Sequence, residues 1–208
     1  MIDTVLPFIL NPARLLLGAW RACPFGPFGW RLDYDISPRP HYTYCVFQAA
    51  LLAERLGIER ISVIEFGVAG GNGLLELERI AAQVEVHLNT RIEIWGFDTG
   101  AGLPKPIDYR DIPYIWQEGF FKMDVPALEA KLRRSRLVIG DIKDTLPRFF
   151  IDHSPAPVAA AIFDLDYYSS TRDAFRIFEA SPASILPRVF CYMDDVASTD
   201  IGILSDGF

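Results

Sequence analysis

Five short apolar runs rich in β-branched or aromatic residues recur along the chain: Ile61 to Phe66, Ile92 to Phe97, Leu137 to Ile139, Val158 to Phe163 and Val189 to Met193. Each has the length and composition of a strand. Segments with helical patterning separate them: Leu74 to Val86, Val125 to Arg134 behind a capping Asp124, Thr145 to Phe150, and Thr171 to Ala180. Parallel strands can be joined only by crossovers, so this alternation predicts an α/β fold with a mostly parallel sheet and helices on both faces. A further helix is predicted from Tyr42, where Val46, Ala49, Ala50, Ala53 and Leu56 recur at helical spacing until Gly57 stops it.

The 208 residues, half of them hydrophobic, suffice for one such domain without disulfide or metal staples. Residues 1–40, rich in Pro, Gly and Trp, read as an irregular, partly helical arm ahead of a domain spanning 41–208. The apolar stretch Val5 to Trp20 is broken by Asn11, Pro12 and Arg14, which leaves it short of a bilayer span, and no signal-peptide pattern is evident. Three widely spaced cysteines without a C-x-x-C pair suggest neither a disulfide framework nor a zinc site, and a reducing cytoplasm is expected. A net charge of -7 argues against wholesale binding of nucleic acid or anionic membrane. The basic run Lys131 to Arg136 reads as the solvated end of a helix, and the apolar arm makes homo-oligomerisation a reasonable expectation. His41, His87 and His153 lie outside every motif and read as packing or surface residues.

The most specific local motif is Glu65-Phe66-Gly67-Val68-Ala69-Gly70-Gly71-Asn72-Gly73, a strand running into glycines and then a helix. Glycines permit tight turns and close approach of a nucleotide to the backbone, and a helix start offers free amides. Dinucleotide-binding folds use a related turn. The next strand ends at Asp98, where a carboxylate could accept from ribose hydroxyls, and the third is followed by Asp141. Each acid alone could be a helix cap; three leaving successive strands at one edge suggest a site. Between Thr99 and Gly119 a proline-rich stretch of little periodicity reads as an active-site loop or lid.

The fourth strand runs into Asp164-Leu165-Asp166 and the fifth into Asp194-Asp195. If the two strands are neighbours about 4.8 Å apart, Asp164 meets the Asp194-Asp195 pair, and in extended chain Asp166 faces the same way as Asp164. Converging carboxylates repel unless protonated or bridged by a cation, and all-oxygen donors select a hard ion, magnesium being the first choice. Caps and a solvated turn are the plain alternative.

At these residues the chain resembles the macrocin O-methyltransferase family, bacterial enzymes that methylate sugar hydroxyls on natural products. The matching segments are E-F-G-V-A-G-G-N-G from Glu65, G-F-D-T-G-A-G-L-P from Gly96, G-D-I-K-D-T-L-P from Gly140, D-L-D-Y-Y-S-S-T from Asp164, and Asp194-Asp195; the resemblance runs from about Tyr42 to Asp195. It implies a Rossmann-like class I methyltransferase that uses S-adenosylmethionine and magnesium to methylate a hydroxyl of a small-molecule vicinal diol. Glu65, Phe66, Gly67, Ala69, Gly71, Asn72 and Gly73 would line the methionine part of the cofactor, Asp98 with Thr99 its ribose, and Asp141 with Ile142 its adenine. Asp164 would lie against the cofactor and hold the metal with Asp194 and Asp195, and Asp166 would be the general base. Thirteen residues follow Asp195, whereas a complete sheet of this class has two further strands, so a sheet lacking the last two is expected.

Other classes use similar acids. A haloacid-dehalogenase-type phosphatase places D-x-D after its first strand, but here most of the domain precedes Asp164. A metal-dependent glycosyltransferase would leave Gly67 and Asp98 unexplained. A non-catalytic cofactor-binding module is the third alternative.

Overall fold

The computed structural model describes residues 12–194. They fall into two units, the first ending at Tyr44 and the second beginning at Cys45. In the first, α1 (Pro12–Ala22) and α2 (Phe28–Asp33) are followed by the opening turn of α3 (Pro40–Arg55). Trp20 lies between Phe25 and Tyr34, with ring centroids at 5.6 and 5.7 Å, and its indole N–H donates to the Phe25 carbonyl.

The second unit carries the rest of α3, on which Val46, Ala49, Ala50 and Ala53 are buried as their spacing predicts. There follow β1 (Arg60–Phe66), α4 (Asn72–His87), β2 (Arg91–Asp98), α5 (Val125–Glu129), β3 (Arg136–Ile139), α6 (Ile142–His153), β4 (Val158–Phe163), α7 (Tyr168–Ala174), and β5 (Ile185–Met193). Short 3-10 turns lie at Tyr109–Asp111 and Phe175–Glu179. The five strands form one sheet in the order β3-β2-β1-β4-β5, every pairing parallel. This is a Rossmann-like α/β fold, the class that the alternation of runs predicts.

Register decides where the strands end. Phe66 pairs with Phe97 and with Phe163, and Phe163 pairs with Met193, so β1, β2, β4 and β5 finish level with one another. The core follows the same row: Phe66 lies 5.1 Å from Phe97 and 5.2 Å from Phe163, while Phe149 of α6 packs edge-on against Trp95 and Phe97. His153, an exposed residue, lies with its ring 5.2 Å from Trp95. Strand β4 is buried along its whole length, as a central strand covered on both faces must be. Strand β5 starts earlier than its apolar run suggests and contains Pro187, which falls where the β4–β5 ladder is interrupted, between the pairs Val158–Ile185 and Ala160–Phe190.

Two helices differ from the sequence pattern. The fourth spacer is helical only over α7 and then tightens into the Phe175–Glu179 3-10 turn. The second spacer ends at Glu129 instead of Arg134, so the basic run is not a helix end. The cause is Glu78 on α4, whose Oε1 accepts from the backbone N–H groups of Arg133, Arg134 and Ser135 at 3.0, 2.9 and 2.8 Å. A tertiary carboxylate has taken the donors that helical bonds would have used.

Burial raises the Glu78 carboxyl, but the backbone donors of Arg134, Ser135 and Arg133 outweigh it and hold the group below its ordinary value. A depressed carboxylate contributes stability that is present above the unfolded value of about 4.3 and is lost as pH falls through the lower folded value. Glu78→Ala is expected to cost about 1–3 kcal/mol at pH 7. In urea unfolding, the gap between variant and wild type should narrow as pH drops below about 4.

Candidate active site

The glycine loop leaves β1 between the ends of its two neighbours. Gly67 N–H donates to the Phe97 carbonyl of β2, and Asp164 N–H, just past β4, donates to the Phe66 carbonyl. Gly67 has φ +86°, and a Cβ there would overlap the Asp164 carbonyl oxygen, so both conformation and space demand glycine. Six residues on, Gly73 lies directly against the carboxylate of Glu65, which is 2 % exposed. Gly71, in the left-handed region, is the N-cap of α4 and supplies no side-chain cap, so the amides of the first turn face the loop. Asn72 is exposed at that turn, and Phe66 is buried behind it.

Asp98 acts on the loop itself. Its Oδ2 accepts from the N–H groups of Val68 and Ala69 at 3.0 and 2.9 Å, and its Oδ1 from Gly100 at 2.7 Å. The carboxylate thus ties β2 to the β1 loop and holds Ala69 at φ +47°, an uncommon value for a residue with a Cβ. Thr99 closes its own turn, donating to the Gly102 carbonyl at 2.6 Å. Asp141 is the N-cap of α6: it accepts from Lys143 N–H at 3.1 Å and pairs with the Lys143 ammonium at 2.8 Å. Ile142, the first residue of that helix, is buried. For Asp141 the capping alternative is realised, though at the expected rim.

Asp164 and Asp194 follow Phe163 and Met193, which are paired across β4 and β5, so the two acids leave adjacent strand tips. Tyr192 donates its hydroxyl to Asp194 Oδ1 at 2.6 Å. Asp195 lies outside the described residues. Asp166 does not continue an extended chain from Asp164: its φ is +59°, and Tyr167 N–H bonds back to the Leu165 carbonyl at 2.6 Å. That is a γ-turn with positive φ at its centre, a strained conformation of the kind found at functional sites. The simple alternation that would place Asp164 and Asp166 on one face is therefore corrected by the turn.

The order of strands lays these groups along one rim: Asp141 after β3, Asp98 after β2, the Glu65–Gly73 loop after β1, Asp164 after β4 and Asp194 after β5. Glu65 and Asp164 emerge at the same rim. At about 5 Å per strand, the positions from Asp141 to Asp164 span about 15 Å, enough for an extended nucleotide with its cationic end among the carboxylates. Among the described residues no group of three potential metal ligands is gathered. Asp164 and Asp194 each follow one member of the Phe163–Met193 pair, so the two acids are level with each other by register.

One further acid is buried outside every motif of the sequence. Asp111, in the loop after β2, is 1 % exposed and accepts from Ser169 N–H at 2.8 Å, Ser169 Oγ at 3.0 Å and Ile107 N–H at 2.8 Å. It lies in a segment without periodicity, so nothing in the sequence distinguished it from neighbouring Asp108, which pairs with Arg110 at the surface. Beside it Tyr167, fully buried, donates to the Trp116 carbonyl at 3.2 Å. Burial, then the negative charges of Asp111, Asp166 and Glu118, raise the Tyr167 phenol, which keeps its proton at neutral pH.

No family model matches the sequence, and no curated protein is significantly similar to it. Solved structures are similar. The calicheamicin methyltransferase CalS11 is 26 % identical with a TM-score of 0.54, the match covering 86 % of this chain and 75 % of CalS11. The O-methyltransferase NovP is 17 % identical with a TM-score of 0.51, covering 75 % of this chain and 65 % of NovP, and shows the fold alone. The chain has the class I S-adenosylmethionine-dependent methyltransferase fold, and fold and likeness together support methyl transfer from that cofactor. It is related to the natural-product methyltransferase CalS11, a broader kinship than the macrocin group that its motifs resemble. Among the described residues no helix is long and apolar enough to cross a membrane.

Gly67→Ala places a Cβ on the Asp164 carbonyl and forces a non-glycine residue to positive φ. The combined strain and overpacking should cost on the order of 3 kcal/mol or more. A lowered thermal midpoint would register it, whereas Ala69→Gly, at a position already held at φ +47°, should leave the midpoint nearly unchanged.

Proposed function

We propose that this rim binds S-adenosylmethionine and transfers its methyl group to a hydroxyl of a small-molecule vicinal diol, a sugar or other natural product, with magnesium beside the acceptor. The observation that carries the reading is the contact of Gly67 with the Asp164 backbone, which joins the nucleotide-type loop directly to the acid-rich tips of β4 and β5. The related CalS11 is a calicheamicin methyltransferase, and NovP an O-methyltransferase. The narrower macrocin-type assignment rests on the ordered motifs from Glu65 to Asp195.

In this reading Glu65, Phe66, Gly67, Ala69, Gly71, Asn72 and Gly73 cradle the methionine part, whose sulfonium suits a rim of carboxylates. Asp98 and Thr99 face the ribose. Three of the roughly four lone-pair positions of the Asp98 carboxylate already serve backbone amides, so it has room for one ribose hydroxyl without loosening the loop. Asp141 and Ile142 border the adenine. The acceptor oxygen attacks the methyl carbon in line with the departing sulfur, the sulfur–carbon bond breaks, and the hydroxyl proton passes to Asp166. Asp164, Asp194 and Asp195 would hold the magnesium ion, which when bound lowers the hydroxyl's pKa and orients the diol. Three free cysteines fit a cytoplasmic setting.

Calorimetric titration of S-adenosylmethionine and S-adenosylhomocysteine into wild type and Asp98→Ala, with and without magnesium, tests the cofactor site. Both should bind wild type and bind the variant at least tenfold more weakly; equal affinity would remove Asp98 from the ribose. Turnover is read by labelled methyl transfer to 3,4-dihydroxybenzoate and a methyl rhamnoside. Asp166→Asn should lower kcat by about 10²–10⁴ with cofactor affinity retained. Turnover undiminished by a chelator would sink the metal assignment.

A further inference from the structure

The loop between β2 and α5 is closed on itself by Leu103 and Gly119: Leu103 N–H donates to the Phe120 carbonyl at 2.8 Å and Gly119 N–H to the Leu103 carbonyl at 2.9 Å. From residue 103 to 120 Asp111 alone is buried. Large apolar side chains of the loop lie in solvent, Tyr109 and Tyr114 each 81 % exposed. Leu103, Ile112, Ile115 and Trp116 are only half-buried, so the apolar anchoring of the segment is partial and its one fully buried attachment is polar. Asp111 accepts from Ile107 within the loop and from both donors of Ser169 on α7, three residues after Asp166. Tyr167 adds the bond to the Trp116 carbonyl, and Arg110 lies 4.3 Å over the Tyr168 ring. Directly after the latch, Ile112 is held at φ +49°, strained for a β-branched residue.

We propose that Asp111 is a positioning residue whose carboxylate latches the 103–120 loop to the start of α7, holding it beside Asp164-Leu165-Asp166 as the wall of the acceptor side. What the wall serves rests on the methyltransferase reading; the latch itself does not. A loop with few buried apolar contacts opens locally once its polar tie is cut, while the sheet it springs from stays closed. Strand β2, which ends in Asp98, and β4, which ends just before Asp164, remain fixed by their own register, so cofactor binding is insulated from the latch.

Hydrogen exchange read by mass spectrometry on full-length wild type, Asp111→Ala, Asp111→Asn and Ser169→Ala tests this directly. In Asp111→Ala, peptides covering 103–120 should exchange at least tenfold faster, with β1 and β4 peptides unchanged. Ser169→Ala, which deletes one of three bonds, should give an intermediate rate and decides the matter if Asp111→Ala does not fold. S-adenosylhomocysteine affinity should move less than threefold, while the KM for 3,4-dihydroxybenzoate rises at least tenfold. Unchanged exchange in 103–120 overturns the latch, and loss of S-adenosylhomocysteine affinity in step with loop opening overturns its assignment to the acceptor side. Wild type that binds no S-adenosylhomocysteine refutes the methyltransferase reading, and the exchange data still decide the latch.

Discussion

The contact between Gly67 and the Asp164 carbonyl is the constraint on which the rim depends. Two parallel strands end level with each other, and the loop leaving one must turn across the tip of the other with no room for a side chain. Glycine at 67 allows the positive φ and the approach together. From there Asp98 draws the loop toward β2 through two amides, Gly71 turns it into α4, and Gly73 brings that helix against the Glu65 carboxylate. Each step follows because the previous one fixed where the chain had to go next.

Charge collects at this rim, and three of the six non-glycine residues with positive φ among the described residues lie by the residues discussed above. Ala69, Ile112 and Asp166 all hold positive φ without being glycine, each beside a residue of the site, and Asp166 does so at the centre of a γ-turn. Carboxylates at positions 65, 98, 164 and 194 leave a region that favours a cationic ligand and disfavours a bare anion. An enzyme that aligns a sulfonium with a hydroxyl uses such a region, since positioning is the main contribution a protein makes to an in-line displacement.

Much of this was legible in the residues. The alternation of apolar runs gave the parallel sheet, because both faces of each strand had to be covered, and the glycine motif with Asp98 and Asp164 marked one edge of it. Asp141 was less legible: a strand-ending acid and a helix cap have the same sequence signature, and the structure makes it a cap. The facing of Asp166 is not legible in sequence, since alternation holds only while the chain stays extended, and Tyr167 bonds back across it. The second spacer has the local propensity and spacing of a longer helix, whereas Glu78, more than fifty residues upstream, withdraws its donors.

The sequence by itself determined the alternation of strands and helices among the described residues of the α/β layer, the glycine turn and which acids follow strands, because hydrophobic period and turn chemistry are properties of neighbouring residues. Only the tertiary structure decided the order of strands along the rim, the tie from Asp98 to the loop amides, and the burial of Asp111 against Ser169. The ties of Asp98 and of Asp111 depend on pairs 29, 30 and 58 positions apart. Such partners leave no local trace: a carboxylate reads the same in sequence whether it meets water, a helix start or a distant backbone amide, and the fold alone brings the amide to it.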